Sequence, residues 1–168
     1  PLRTSRNLCR THLTTRPTSL VGGVGREFIP IPESEAAPAA LALYAQGLAQ
    51  LHGYRWIEAA RAFHTALRLE PSLVLAELGL VRAYEGMKDP VRADVHMERA
   101  RKLESASGSR DALLVNALQL RRLGHQTGPA GPAAHRAYRK ALDEILKTYP
   151  EDVEVLLLRG NASEAVAW

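Results

Sequence analysis

The chain has 168 residues, 46% apolar and only 5% aromatic, a mix that suits a globular domain built from helices rather than sheets. A formal net charge of +4 is too mild to argue for a nucleic-acid partner, which calls for a dense basic patch. The single cysteine, Cys9, excludes an intrachain disulfide, and no run of about 18 apolar residues offers a membrane span.

Residues 1–34 read as a basic arm. Arg3, Arg6, Arg10, Arg16 and Arg26 stand against Glu27 and Glu33 only, and the segment carries the turn-prone VGGVG and the extended FIPIP. Pro30 and Pro32 push the residues before them toward β or polyproline geometry. The arm is either loose or laid along the body, and Phe28, Ile29 and Ile31 are the residues best able to pin it. The segment has no apolar core of signal-peptide type. A soluble chain is expected. Its compartment stays open, with the cytoplasm slightly favoured and export possible if a signal was removed ahead of Pro1.

Helical periodicity begins near Ala36. Leu41, Leu43, Tyr44, Leu48 and Leu51 form one apolar stripe, and "HGY" interrupts it. Trp56, Ala59, Ala60, Phe63, Ala66 and Leu67 form a second stripe, ended by Pro71. Two helices joined by a short turn make an antiparallel hairpin. The pattern then recurs: Leu75, Leu78, Leu80, Val81 and Tyr84, a break at "GMKDP", then Val91, Ala93, Met97, Ala100 and Leu103. One constant offset carries Gly47 onto Val81, Ala59 onto Ala93, Phe63 onto Met97 and Ala66 onto Ala100. Two helices in a period of about 34 residues are the signature of a solenoid.

A third unit is stretched. Its first helix is expected over 109–123, with Leu114, Val115, Leu118 and Leu123 apolar. The glycine- and proline-rich GHQTGPAGPA follows, then a helix over 133–148 with Ala137, Tyr138, Leu142, Ile145 and Leu146 inward. "VEVLLLRG" starts a fourth unit, with Gly160 in the place of Gly47. Val155, Leu156, Leu158 and Trp168 are the candidate residues to cap the third unit. An exposed last face makes a homodimer one expected partner state.

On Gly47, Ala59, Phe63, Ala66 and Pro71 in the first unit, and Leu80, Tyr84, Ala93, Met97 and Ala100 in the second, the chain resembles the tetratricopeptide repeat family. It departs from that pattern at Gln46, Val81 and Ser105. The resemblance covers residues 40–160. It implies an all-α, right-handed helical-hairpin solenoid of about three repeats plus an incomplete fourth, forming a domain over 35–168. It also implies a concave face lined by the first helix of each unit, which receives a protein or peptide. Carried over position by position, that groove takes Tyr44, Leu48 and His52 from the first unit, Leu78, Arg82 and Glu85 from the second, and Ala112, Asn116 and Gln119 from the third. Tyr44 and Leu48 stand where a carboxylate clamp would need its lysine and asparagine, so a helix or an apolar peptide suits the groove better.

Nothing in the sequence forms a catalytic constellation. His52 and His64 lack the i, i+4 spacing of a helical metal pair, and His64, four residues before Arg68, suits a solvent-facing row. "CRTH" around Cys9 and His12 lacks a second cysteine, and VGGVGREF lacks the lysine of a phosphate loop. Asn161–Ser163 matches a glycosylation acceptor formally. Glu58, Glu70, Glu77, Glu85, Glu98 and Glu104 read as solvated faces, and Asp143 and Glu144 can pair with Lys140 and Lys147. The expected function is a non-enzymatic protein-binding scaffold without cofactor or metal. The alternatives are a regulatory or docking module of a larger protein, possibly an enzyme, and a small-molecule or metal-binding protein using His52, His64, His96 or Cys9.

Overall fold

The computed structural model describes residues 13–19, 38–103, 109–125 and 131–164. Seven long helices lie among the described residues: α1 (Pro38–His52), α2 (Trp56–Leu69), α3 (Val74–Gly86), α4 (Pro90–Leu103), α5 (Ser109–Gly124), α6 (Gly131–Thr148) and α7 (Val153–Glu164). The chain divides into two compact units, 1–103 and 104–168. In the first, α1 packs on α2, α2 on α3 and α3 on α4, and α1 also touches α3. In the second, α5 packs on α6 and α6 on α7. The architecture is all-α and built from paired helices, as in helical-hairpin repeats.

The repeat period holds at the level of single hydrogen bonds. At the end of α1, Tyr54 N–H donates to Leu51 O (3.1 Å) and Arg55 N–H to Gln50 O (2.9 Å). At the end of α3, Lys88 N–H donates to Glu85 O (3.0 Å) and Asp89 N–H to Tyr84 O (2.9 Å). Both turns are Schellman motifs, in which a left-handed residue lets two amides close on orphan carbonyls. That residue is Tyr54 (φ 59°) in one and Lys88 (φ 57°) in the other. An L-residue with a Cβ is strained there by roughly 1–2 kcal/mol. Replacing the exposed Lys88 by glycine relieves that strain and is expected to raise stability by about 0.5–1 kcal/mol. A denaturant midpoint that fell instead would show that the Lys88 side chain compensates for its backbone.

Proline and aspartate set the starts of α4, α6 and α7. Pro90 opens α4 behind Asp89, whose Oδ1 accepts from Arg92 N–H at 3.2 Å, the arrangement expected of an N-cap and N1 pair. Asp152 does the same for α7, accepting from Val155 N–H at 3.1 Å. α6 begins at Gly131, ahead of the expected Ala133, because Pro132 is tolerated in a first helical turn where no amide is needed.

Alanines line the helix contacts. Ala59, Ala60, Ala62, Ala66, Ala76, Ala83, Ala93 and Ala100 are fully buried, which lets the helix axes approach closely. Phe63 is the exception, a large ring wedged between two glycines. A Cβ on Gly47 would lie 2.5 Å from its Cε1, and one on Gly79 2.6 Å from its Cζ. Gly79 is thus a position of α3 that meets this ring. Val91, placed in the apolar stripe of α4, is exposed, and so are Leu123 and Leu156. Phe28, Ile29, Ile31, Cys9, His12, VGGVG and Trp168 lie outside the described residues.

Candidate functional site

Two polar clusters and one docked segment carry the chemistry of the described residues. The first cluster joins α2, α3 and α4. His96 of α4 donates from Nδ1 to Oε2 of Glu77 of α3 at 2.6 Å, both side chains buried. Tyr84 of α3 stacks on the His96 ring, with centroids 5.3 Å apart and planes 6° apart. The Arg92 guanidinium lies over the Tyr84 ring, its Cζ 5.7 Å from the centroid. His64 of α2 completes the cluster, with Nε2 3.1 Å from the Tyr84 hydroxyl and its ring 5.4 Å from His96. The phenol hydrogen goes to Thr14 Oγ1 at 3.1 Å, so the Nε2–H tautomer of His64 is the one that satisfies the phenol oxygen.

This cluster corrects two expectations. His64 belongs to no solvent-facing row, because its ring is turned into the α2–α3–α4 contact. Glu77 is buried rather than on a solvated face. His64 is pushed down to about 3, first by burial, then by the neighbouring His96 imidazole and by Arg68, Arg99 and Arg92. Burial pushes the Tyr84 phenol up.

The His64 shift has a sign. Between about pH 6.5 and 3 the unfolded chain holds a proton on His64 that the folded chain does not. Stability from this group is complete above the unfolded value and is lost as pH falls through that window, by up to about 1.4 kcal/mol per pH unit. His64→Gln keeps a donor and removes the titration. Its unfolding free energy is expected to fall less steeply than that of the native chain between pH 7 and 5, and equal slopes would place the titration on another group.

The docked segment is 13–19, one helical turn over 13–15 followed by irregular chain. It is laid along the first unit. Thr14 is its single buried side chain, at 0% exposure. Each of the next five residues gives one main-chain group to a helix side chain. Arg68 Nη1 donates to Thr15 O (3.2 Å), Arg61 Nε to Arg16 O (3.5 Å) and Arg61 Nη2 to Pro17 O (3.3 Å). Thr18 N–H donates to Thr65 Oγ1 (3.2 Å), and Gln46 Nε2 donates to Ser19 O (3.2 Å). Thr65 is held by its own bond to Arg61 O at 2.7 Å and by Arg68 Nη2 at 2.8 Å. Gln46 now has a physical reason: it is fully buried where the second unit has the equally buried Leu80, and its amide meets a carbonyl of this segment. A buried amide is tolerated only when it is hydrogen-bonded.

The second cluster lies in the second unit. Arg110 at the start of α5 donates from Nε to Asp152 Oδ2 (2.6 Å) and from Nη2 to Glu154 Oε2 (3.4 Å), with Asp111 Oδ1 3.3 Å from Nη1. Burial pushes the Asp111 carboxyl up, against the opposing pull of Arg110. On α6, Glu144 pairs with Lys147 at 2.8 Å as expected, whereas Asp143 pairs with Arg159 of α7 at 2.5 Å.

The groove residues read from the family resemblance separate by burial. Tyr44, Leu48 and Leu78 are buried, with the Tyr44 ring 5.8 Å from Phe63. His52, Arg82, Glu85 and Gln119 are half-buried and Asn116 is exposed. Tyr44, Leu48, His52, Leu78, Arg82 and Glu85 belong to the first unit, Asn116 and Gln119 to the second. Of the histidines considered as ligands, the structure brings His64 and His96 together and places His52 in the last turn of α1. Among the described residues no group of three or more His, Cys, Asp or Glu is arranged to hold a metal ion, and no described helix is long and apolar enough to cross a membrane.

Sequence reasoning misses Glu77, His96, Gly79 and Arg110 as partners. A buried carboxylate with its imidazole 19 residues further on leaves no local signature, but the unexpected glutamine at 46 is a visible one. Comparison with family models, with curated proteins and with solved structures finds no match to this chain.

Proposed function

We propose that the chain is a non-catalytic interaction scaffold of the tetratricopeptide type, a right-handed stack of helical hairpins that binds a protein or peptide. The observation that supports this reading best is the repeated hairpin unit, whose period recurs in the helix ends and in both Schellman turns. A repeated hairpin presents equivalent first helices side by side, a surface suited to peptide recognition. His52, Arg82 and Glu85 are the groove positions of the first unit with exposed area, and Arg82 would set the polarity of an acidic ligand segment.

Selection of peptides from a random library against the full chain tests this. Selected binders are expected to lose about tenfold or more in affinity to an Arg82→Glu, Glu85→Arg double variant. Binders indifferent to that reversal, or no saturable binder at all, would overturn the groove reading.

A further inference from the structure

We propose that the face formed by Gln46, Arg61, Thr65, Arg68 and Tyr84 is a second peptide-binding site, held in this chain by its own segment 13–19. Its ligand in trans is a short peptide with threonine at the first anchor and proline three residues on. The proposal rests on the scaffold reading above but uses a different surface, since none of these residues is among those the family resemblance assigns to the groove.

Three observations carry it. First, recognition of the segment is almost wholly through its backbone. Residues 15–19 each offer one main-chain group to Arg61, Thr65, Arg68 or Gln46. A face that reads main chain accepts any chain that can follow the same path. Second, one side chain is read specifically: Thr14 is fully buried, and its hydroxyl accepts from Tyr84, itself held by His64. Val and Ser do not reproduce a threonine there, since one lacks the oxygen and the other the methyl group. Third, the segment is shallowly seated. Leu13, Thr15, Arg16, Pro17 and Ser19 are all exposed, so little apolar burial resists its replacement. The residue before Pro17 is confined to β or polyproline geometry, which lowers the ordering cost of any ligand with proline at that place.

The covalent link to the rest of the chain sets the competition. A tethered segment acts at an effective concentration of roughly millimolar, so a free peptide binds weakly until the tethered copy is loosened. Thr14→Val on the full chain loosens it by deleting the acceptor of the Tyr84 hydroxyl.

The probe is a fluorescent synthetic peptide of residues 13–19. It is expected to bind the Thr14→Val chain up to about tenfold more tightly than the native chain, the effect of one buried hydrogen bond. The same peptide with valine at the first threonine is expected to bind the variant about tenfold more weakly than the parent peptide. A second readout uses the native chain alone: excess peptide displaces the segment and speeds exchange of the Thr18 amide, which donates to Thr65. Absence of saturable binding to the variant at millimolar peptide, or binding that ignores the threonine hydroxyl, overturns the proposal. So does an unchanged Thr18 exchange rate. The Arg82→Glu, Glu85→Arg variant should bind this peptide like the native chain, so failure here and failure of the groove reading are told apart.

Discussion

Replacing Phe63 by alanine is expected to cost the first unit about 3–5 kcal/mol, the range for emptying a fully buried phenylalanine site. The ring is completely enclosed and spans the gap between Gly47 of α1 and Gly79 of α3. Neither glycine can fill the void, so the helices must collapse or leave it open. The converse change is equally informative. Gly79→Ala puts a methyl group 2.6 Å from the Phe63 ring, an overpacking expected to cost about 1–3 kcal/mol. Combining Gly79→Ala with Phe63→Leu gives the methyl group room, so the double variant should be more stable than the sum of the single losses predicts. Urea unfolding of the native chain, the two single variants and the double variant reads the coupling. Strict additivity would mean that the ring is not the group that excludes a side chain at residue 79.

Removing Arg110 is the second large effect, expected in the second unit. Its side chain is 7% exposed and reaches Asp152 and Glu154, whose side chains are 4% and 6% exposed. Arg110→Met deletes the cation that bridges them and leaves two buried carboxylates without it. Breaking a buried pair from one side costs about 3–5 kcal/mol, chiefly through the charge left behind. Arg110→Lys keeps the charge but cannot bridge two carboxylates with a rigid fork, so an intermediate loss is expected. Hydrogen exchange across both units measures it: protection should fall in α5, α6 and α7 and persist in α1–α4. Uniform loss of protection through both units would show that the two unfold together, and unchanged protection would show that Arg110 is dispensable.

The hairpin pattern is legible in the sequence because it is local. Helix stripes, the breaks at "HGY" and "GMKDP", and the stop at Pro71 all follow from periodicity and from the backbone limits of proline and of left-handed turns. The helix ends at His52, Leu69, Gly86 and Leu103 keep the spacing read from the alanines and Gly47. The candidate site is far less legible. Periodicity marks Tyr84 as a repeat position and His64 as a surface residue, yet their hydroxyl and imidazole meet beside Thr14, 70 residues from Tyr84 in the chain. No period links such residues, because a buried polar contact depends on where three helices and a segment converge.

Gln46 shows the boundary between the two kinds of knowledge. As a sequence feature it is a departure from the pattern, a polar residue at an apolar place. In the structure it is a buried donor to Ser19 O, and the departure records the neighbour it serves. Composition and spacing alone determined that this chain is helical, that its helices come in pairs, and that the first two pairs repeat with one period, because those properties are set by side-chain periodicity and turn chemistry within a short stretch of chain. Only the tertiary structure decided which polar residues are buried, that Phe63 rests on Gly79, that Arg110 bridges α5 to α7, and that segment 13–19 lies on α2. Those outcomes depend on desolvated contacts between residues far apart in sequence, where each group must find its partner in space.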